Sequence, residues 1–179
     1  RSPSAGETEA LFVVTVRWEY TVIPHHHSRR FACVSERDEY LDLIQERATQ
    51  RIMALPRDGG GRPLALDVLA QLLPLDADRR TELAAQVQLG VLALTDDRLR
   101  PTSVRLNRAV LDACRIVIGI LAESEQLAPD RNPDSEAHRL HALLDGLAMH
   151  GLWDGGTDAG RRALDILDQH LGELGAPPA

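Results

Sequence analysis

Apolar residues recur every three or four positions along most of the chain, the spacing of one face of an α-helix. The clearest stripe follows Asn132, and its members are Leu140, Leu143, Leu144, Leu147 and Gly151. Asn132 is a candidate N-cap residue, and Pro133 occupies the first helical position, where a missing N–H costs nothing. We therefore predict a helix that begins at Pro133 and is ended by the Gly155-Gly156 pair.

The same spacing predicts five further helices, which are separated by proline, glycine or aspartate residues. Their predicted ranges are Ser35–Met53, Pro63–Leu73, Ala77–Leu94, Leu99–Gln126 and Asp158–Leu174. Asp76 is the predicted N-cap of the helix Ala77–Leu94. Hydrophobic residues make up 44% of the chain but aromatic residues only 3%, so the core must be aliphatic. An aliphatic core favours packed helices over a β-sandwich.

Residues 1–34 are harder to interpret. The segment Ala10–Val16 is rich in β-branched residues and suits a strand, but it lacks clean alternation, so a short helix remains the alternative. Three consecutive histidines, His25, His26 and His27, invite a metal-site interpretation. Neighbours in a row do not easily face one ion, and no acidic or cysteine partner stands nearby. A flexible loop is therefore the favoured interpretation.

The charge and cysteine content narrow the class of protein. The net charge is −7, which argues against a uniformly basic nucleic-acid binder but leaves room for a local basic patch. Cys33 and Cys114 match no metal or redox spacing, which favours unpaired thiols in a reducing compartment. The sequence contains neither a long apolar run nor a signal-peptide pattern. We therefore expect a soluble, cytoplasmic protein with no membrane partner.

Gly146 lies in the middle of the predicted helix, beside its apolar stripe. A glycine there costs about 1 kcal/mol relative to alanine. The missing side chain would allow another helix to approach closely, which indicates a packing or pairing surface. An ordinary core helix with an accidental glycine fits the pattern equally well.

Evidence for an enzyme is thin. His138, His141 and Asp145 share one helix face, which is compatible with holding a metal ion or relaying a proton, but their spacing is not that of a His-Glu-x-x-His site. Ion pairs at a solvated or interface surface are the favoured interpretation. Gly59-Gly60-Gly61 lacks the Lys-Ser/Thr step of a phosphate-binding loop, and no nucleophile motif is present. The sequence therefore predicts a non-enzyme without a cofactor or a metal.

From Ser35 onward the chain resembles the C-terminal regulatory domain of TetR/AcrR-type transcriptional repressors. The resemblance is clearest in Leu127-Ala-Pro-Asp130, in the run Ala137-x-x-Leu140-x-x-Leu143-Leu144-Asp145-Gly146-Leu147-Ala148, and in Trp153-Asp154. It implies an all-α helical bundle of the TetR regulatory-domain type that binds a small molecule in its interior. It also implies a homodimer, in which the last two helices of each copy form a four-helix bundle and Gly146 lies near the two-fold axis.

The N-terminus departs from this family. The family places a three-helix DNA-binding unit ahead of the connecting helix, but residues 1–34 show neither its Gly-Val-Ser/Thr turn nor its Tyr-x-His/Tyr-Phe segment. We therefore divide the chain into a divergent or truncated segment, 1–34, and a helical ligand-binding and dimerisation domain, 35–179. DNA-binding residues are not identifiable from the sequence.

The leading hypothesis is a ligand-responsive repressor that binds operator DNA and a small, largely apolar effector. The predicted effector-binding residues are Gln86, Leu89, Cys114, Val117, Ile118, Leu121, Met149 and Trp153, with Gln86 and His150 as polar contacts. The predicted dimer-interface residues are Leu140, Leu143, Leu144, Gly146, Leu147, His150, Leu164, Leu167 and Leu171. The alternative is a non-DNA-binding dimeric sensor or partner-binding module that retains only the regulatory domain.

Overall fold

A computed structural model describes residues 41–56, 60–154 and 157–175, and every regular element within these ranges is an α-helix. The chain divides into two units, Arg1–Asp42 and Leu43–Ala179, and the helical bundle belongs to the second. The predictions for residues 1–34 and the boundary predicted between residues 34 and 35 lie outside the described residues. The predicted start at Ser35 and the Gly155-Gly156 terminator lie outside them as well.

Six helices follow one another within the described ranges, as the apolar spacing predicts. They are α1 (residues 41–53), α2 (Gly61–Ala70), α3 (Ala77–Ala93), α4 (Arg100–Glu123), α5 (Pro133–Asp154) and α6 (Thr157–Glu173). The largest difference from the prediction is at α2, which begins two residues before Pro63 and ends three residues before Leu73. It ends early because Pro74 follows, and the chain ahead of a proline leaves the helical conformation.

Side chains at the helix starts satisfy backbone N–H groups that have no partner within the helix. Asp76 caps α3, since its Oδ1 accepts a hydrogen bond from the backbone N–H of Arg79 at 2.8 Å. Asn132 caps α5, since its Oδ1 accepts from the N–H of Ser135 at 2.9 Å. Both caps were predicted from the sequence, and both are confirmed.

The core is aliphatic and centres on α4. This helix packs against α2, α3 and α5, while α6 covers α2 and α5. The largest buried side chains of the second unit are Ile44, Leu69, Leu73, Leu99, Ile118, Leu121, Leu140, Leu144, Leu167, Leu171 and Leu174. Together with smaller residues such as Ala65, Val68 and Val117, these side chains form an aliphatic core, which agrees with the low aromatic content of the chain.

Candidate effector site and the outer side of α5

Five of the predicted effector-binding residues are buried. Cys114, Val117, Ile118 and Leu121 line the inner side of α4 and belong to the central core, and Leu89 on α3 is 3% exposed. Gln86 on α3 and Met149 on α5 are half-buried. The structure therefore brings α3, α4 and α5 together around this part of the core.

Trp153 lies apart from that group. It is 70% exposed at the end of α5, and its ring meets the ring of His150 edge-on, with centroids 5.5 Å apart. Both side chains are on the outer side of α5. The structure thus places one predicted effector residue, Trp153, and one predicted polar contact, His150, on a surface rather than in the core.

The inner side of α3 is covered less completely than that of α4. Only Glu82, Leu89 and Ala93 are buried on α3, whereas most of its other residues between 83 and 92 are half-buried. Leu83 is among the half-buried side chains that contact the core. α3 therefore contributes three buried residues to the bundle, whereas α4 contributes six.

Polar groups lie along α5 on the side of α4. Nε2 of His141 lies 3.4 Å from Oδ2 of Asp145, one helical turn further on. Burial raises the pKa of Asp145, and the neighbouring His141 opposes that rise. Burial also raises the pKa of the Cys114 thiol to about 12, and the charge of Asp145 adds to the effect. Cys114 is therefore a neutral, unreactive thiol at physiological pH.

The two histidines predicted to share a face have separate partners. Nδ1 of His138 lies 2.7 Å from the carbonyl oxygen of Asp134, whereas His141 pairs with Asp145. Within the ranges that the structure describes, no group of three His, Cys, Asp or Glu side chains is arranged to hold a metal ion. The geometry of these residues matches the ion-pair interpretation of the sequence.

A buried carboxylate ties α3 to α1. The side chain of Glu82 is 8% exposed, and its oxygens accept hydrogen bonds from Nη1 and Nη2 of Arg51 at 3.3 and 2.9 Å. Arg47, one turn earlier on α1, approaches Glu82 to 3.8 Å. Removing one partner of such a buried pair leaves an uncompensated charge, which makes the contact a strong constraint on α1.

The sequence analysis did not single out Glu82, although a signal was present. Leu89 and Ala93 follow Glu82 by seven and eleven residues, which places all three on the same face of α3, and all three are buried. A carboxylate on a buried stripe requires a cationic partner, because its desolvation is otherwise too costly. Two arginines four residues apart on the neighbouring helix, Arg47 and Arg51, supply it.

A second arginine joins α3 to the end of α5. Nη1 of Arg80 donates to the carbonyl oxygen of Gly151 at 2.9 Å and lies 3.5 Å from that of Leu152. Pro74 packs so closely there that a Cβ added to Gly151 would lie 2.8 Å from its Cγ. α3 is thus held at α1 by Glu82 and at α5 by Arg80.

The predicted dimer-interface residues fall into two groups. Leu140, Leu144, Leu167 and Leu171 are at most 2% exposed, because the chain itself buries them. These four side chains are core residues, so they do not offer a surface to a second copy. Leu143, Leu147 and Leu164 are half-buried, and Gly146 and His150 are exposed. The pairing hypothesis therefore depends on the second group.

None of the described helices is both long and apolar enough to cross a membrane.

Comparison with known families decides the class of protein. Residues 62–176 match the family model described as the C-terminal domain of BetI-type transcriptional repressors. This chain belongs to the TetR family of transcriptional regulators. The matched range covers α2 to α6 and includes all the predicted effector and interface residues.

Individual TetR-type relatives support the assignment. The chain is 28% identical over 142 residues to the HTH-type transcriptional regulator PksA of Bacillus subtilis strain 168, a match that spans 76% of this chain and 68% of PksA. A crystal structure of a transcriptional regulator from Rhodococcus sp. Rha1 superposes with a TM-score of 0.62 at 20% identity, covering 79% of this chain and 74% of that one. A putative TetR-family regulator from Rhodococcus gives a TM-score of 0.68 at 16% identity, over 80% and 76% of the two chains. At these identities the two structures establish the fold.

The TetR assignment also answers the enzyme question. The matched family and PksA are transcriptional regulators, not enzymes. This agrees with the prediction made from the missing nucleophile and phosphate-loop motifs.

Proposed function

We propose that this chain is a ligand-responsive transcriptional repressor of the cytoplasm, which acts as a homodimer and releases operator DNA when a small, largely apolar effector binds. The observation that carries the proposal is the state of α3. Only three of its 17 residues are buried, against six of the 24 residues of α4, while Glu82 ties it to α1. Because few residues of α3 are buried and Glu82 joins it to α1, a shift of α3 on effector binding would be passed on to α1.

The effector site that we propose lies between α3, α4 and α5. Its walls are aliphatic, with Leu89 and Val117 as buried members and Met149 at the edge. Gln86 and the His141–Asp145 pair are the polar groups that we assign to this region. A site with apolar walls and few polar groups selects a largely apolar compound and orients it by one or two hydrogen bonds.

The signal would pass through the Glu82–Arg51 contact. An effector between α3 and α4 favours whichever position of α3 binds it better, and can shift the equilibrium only by that difference in affinity. Because Glu82 is buried and paired with Arg51, α1 must follow α3 or lose the pair. α1 is the connecting helix of the resemblance, and in the family the DNA-binding unit precedes that helix.

The first test is DNA binding by the full chain. A gel-shift assay with the DNA upstream of the chain's own gene should show binding that prefers this sequence over random DNA and weakens steeply with salt. No binding even at low salt would contradict the repressor and support the alternative, a dimeric sensor without DNA binding. The matched family model describes the C-terminal domain alone, so this assay addresses DNA binding separately.

The second test concerns the effector and its coupling to DNA. A panel of uncharged aliphatic and aromatic compounds should contain members that raise the Tm of the chain and release the upstream DNA. Glu82→Gln should keep the rise in Tm but weaken the release of DNA, because the buried ion pair to α1 is lost. Glu123→Gln, at the exposed last residue of α4, is the matched control and should behave like the natural chain. Equal release by both variants would contradict the role of Glu82.

A further inference from the structure

The last turn of α5 has no cation of its own. It contains no basic residue, and Asp154 adds a negative charge there. The last carbonyl groups of a helix have no partner within the helix, and the negative end of the helix dipole favours a nearby cation. The end of α5 is therefore stabilised by cations that come from other helices.

Arg80 of α3 supplies one of these cations. Its Nη1 donates to the carbonyl oxygen of Gly151 at 2.9 Å and lies 3.5 Å from that of Leu152. The contact is partly buried. A hydrogen bond to a charged group is stronger than one between neutral groups, and burial shields it from competing water. Arg80 therefore connects the start of α3 to the backbone at the end of α5.

Arg162 of α6 approaches the same turn in a different way. Its Nη2 lies 3.3 Å from Oδ2 of Asp154, and the two side chains are 63% and 53% exposed. Exposed ion pairs of this kind contribute little to stability. Arg162 is therefore a matched comparison for Arg80, because it is an arginine at the same end of α5 that comes from another helix and contacts a side chain instead of the backbone.

The corner between α2 and α3 fixes the position of Arg80. Pro74 is buried there, and a Cβ added to Gly151 would lie 2.8 Å from its Cγ. Leu75 approaches α6 as closely, since a Cβ added to Gly160 would lie 2.9 Å from its Cδ2. The missing side chains of the two glycines give the corner room against both helices. Arg80 follows in the first turn of α3 and reaches α5 from there.

Arg80 and Glu82 tie α3 to two different helices. Residues two positions apart in an α-helix point about 200° apart, which is to nearly opposite sides. Arg80 accordingly reaches α5, whereas Glu82 pairs with Arg51 of α1 at 2.9 Å. Leu89, seven residues after Glu82, is 3% exposed and belongs to the proposed effector site. A movement of α3 at that site therefore acts on both contacts, because all of these groups except Arg51 belong to one helix.

We infer that Arg80 is a positioning residue that links the effector site to the end of α5. When α3 moves to accommodate an effector, Nη1 of Arg80 withdraws from the two carbonyl oxygens and the last turn of α5 loosens. This turn carries Trp153, which is 70% exposed and is the only Phe, Trp or Tyr between residues 41 and 179. The effector site thus has two outputs, α1 through Glu82 and the surface at the end of α5 through Arg80. The inference rests on the effector site of the proposed function.

Amide hydrogen exchange tests the contact without an effector, because the amides of residues 151–154 report opening of the last turn of α5. Arg80→Gln should speed their exchange about 10-fold, the scale of a lost hydrogen bond to a charged group. Arg80→Lys keeps a cation without the guanidinium geometry and should restore part of the protection. Arg162→Gln should change the exchange less than about twofold, since it removes only an exposed pair.

Two results of this measurement would overturn the role of Arg80. One is an equal effect of Arg80→Gln and Arg162→Gln on residues 151–154, because any cation at the end of α5 would then serve. The other is an equal acceleration by Arg80→Gln throughout α4, because the substitution would then destabilise the whole bundle instead of one turn.

Substitution of Leu89 tests the link between the two sites. Leu89→Phe overfills a buried position and should displace α3, so residues 151–154 should exchange faster. In the Arg80→Gln background the same substitution should have little further effect, because the link is already broken. In the Arg162→Gln background its effect should persist. Leu89→Ala, which leaves a cavity, allows the same comparison if circular dichroism shows that Leu89→Phe does not fold.

The outcomes separate this inference from the proposed function. If the effects of the Leu89 and Arg80 substitutions simply add, or if the Leu89 substitutions leave residues 151–154 unchanged, the link through Arg80 is overturned and the effector and DNA tests are unaffected. If the exchange results are as expected but no compound of the panel raises the Tm or releases DNA, the proposed function fails and the link loses its regulatory role.

Discussion

The two sides of α5 differ in burial and in the residue types that they carry. The inner side carries Leu140, Leu144 and Ala148, which are at most 5% exposed, and ends at Gly151 in close contact with Pro74. The outer side carries Gly146 beside open space and Trp153, which is 70% exposed. One helix thus places its aliphatic residues inside and its tryptophan outside.

This difference distinguishes apolar residues that pack in the core from an apolar residue that stays on the surface. Aliphatic side chains of similar volume interdigitate at high density in a core, and the helices around α5 are packed with them. Trp153 instead presents a large apolar ring to solvent, and tryptophan is one of the residue types enriched at protein interfaces. The buried inner side therefore determines the stability of the fold, whereas the exposed outer side is available to the proposed homodimer.

The largest expected effect comes from truncating the inner side. Leu144→Ala should lower the free energy of unfolding by about 2–5 kcal/mol, because it removes buried methyl groups and leaves a cavity in the core. His150→Ala, on the outer side of the same helix, should change it by about 0.5 kcal/mol or less. Urea denaturation followed by circular dichroism, with both variants at one protein concentration, checks the contrast. Similar losses for the two variants would contradict the division of α5 into two sides.

The glycines give a smaller but more specific effect. Gly151→Ala should lower the free energy of unfolding by about 1–3 kcal/mol, because the new methyl group would collide with the rigid ring of Pro74. Gly119→Ala, within α4, meets nothing within 4 Å and should raise stability by up to about 1 kcal/mol. A lower Tm for Gly151→Ala together with a higher Tm for Gly119→Ala would distinguish the effect of close packing from that of helix propensity. A higher Tm for both variants would show that Pro74 moves to make room for the new methyl group.

Much of this architecture was predictable from the sequence, because the responsible interactions are local. Six helices follow from apolar spacing, and the caps at Asp76 and Asn132 follow from one residue and the turn after it. The side of a helix that faces the core is also a local property. Leu140 and Leu144 were predicted to lie on one apolar stripe, and the structure buries both. Their assignment to a dimer surface was a separate step that spacing alone does not justify.

What the sequence did not reveal depends on the arrangement of distant helices. A stripe of leucines looks the same whether it packs inside one chain or against another, and only burial by α2, α4 and α6 distinguishes the two cases. The Glu82–Arg51 pair joins residues 31 positions apart, and the contact of Arg80 with Gly151 joins residues 71 apart. Trp153 was predicted to line the effector site, and its exposure was not evident before the helices were placed.

The smallest expected effect is a pH dependence of the free energy of unfolding, which arises from His170 of α6, close to Glu136 of α5. His170 of α6 has a lowered pKa: burial disfavours its charged form, and Arg131 and Arg139 act in the same direction, while Glu136 and Glu173 oppose them. Its buried Nε2 has no hydrogen-bond partner among the described residues. As the pH falls below the ordinary value of 6.5, the unfolded chain binds a proton that the folded chain resists. The free energy of unfolding should therefore fall with decreasing pH until the lowered pKa is passed.

His170→Gln removes this group, so its unfolding free energy should depend less on pH in that window. Denaturation of both proteins in urea between pH 8 and pH 5 checks the prediction. At pH 8 the imidazole is neutral in the folded and unfolded states, so any difference there reports the packing of the new side chain. Curves that stay parallel down to pH 5 would contradict a buried, neutral His170, and the inner side of α5 would then be more accessible to protons than its packing implies.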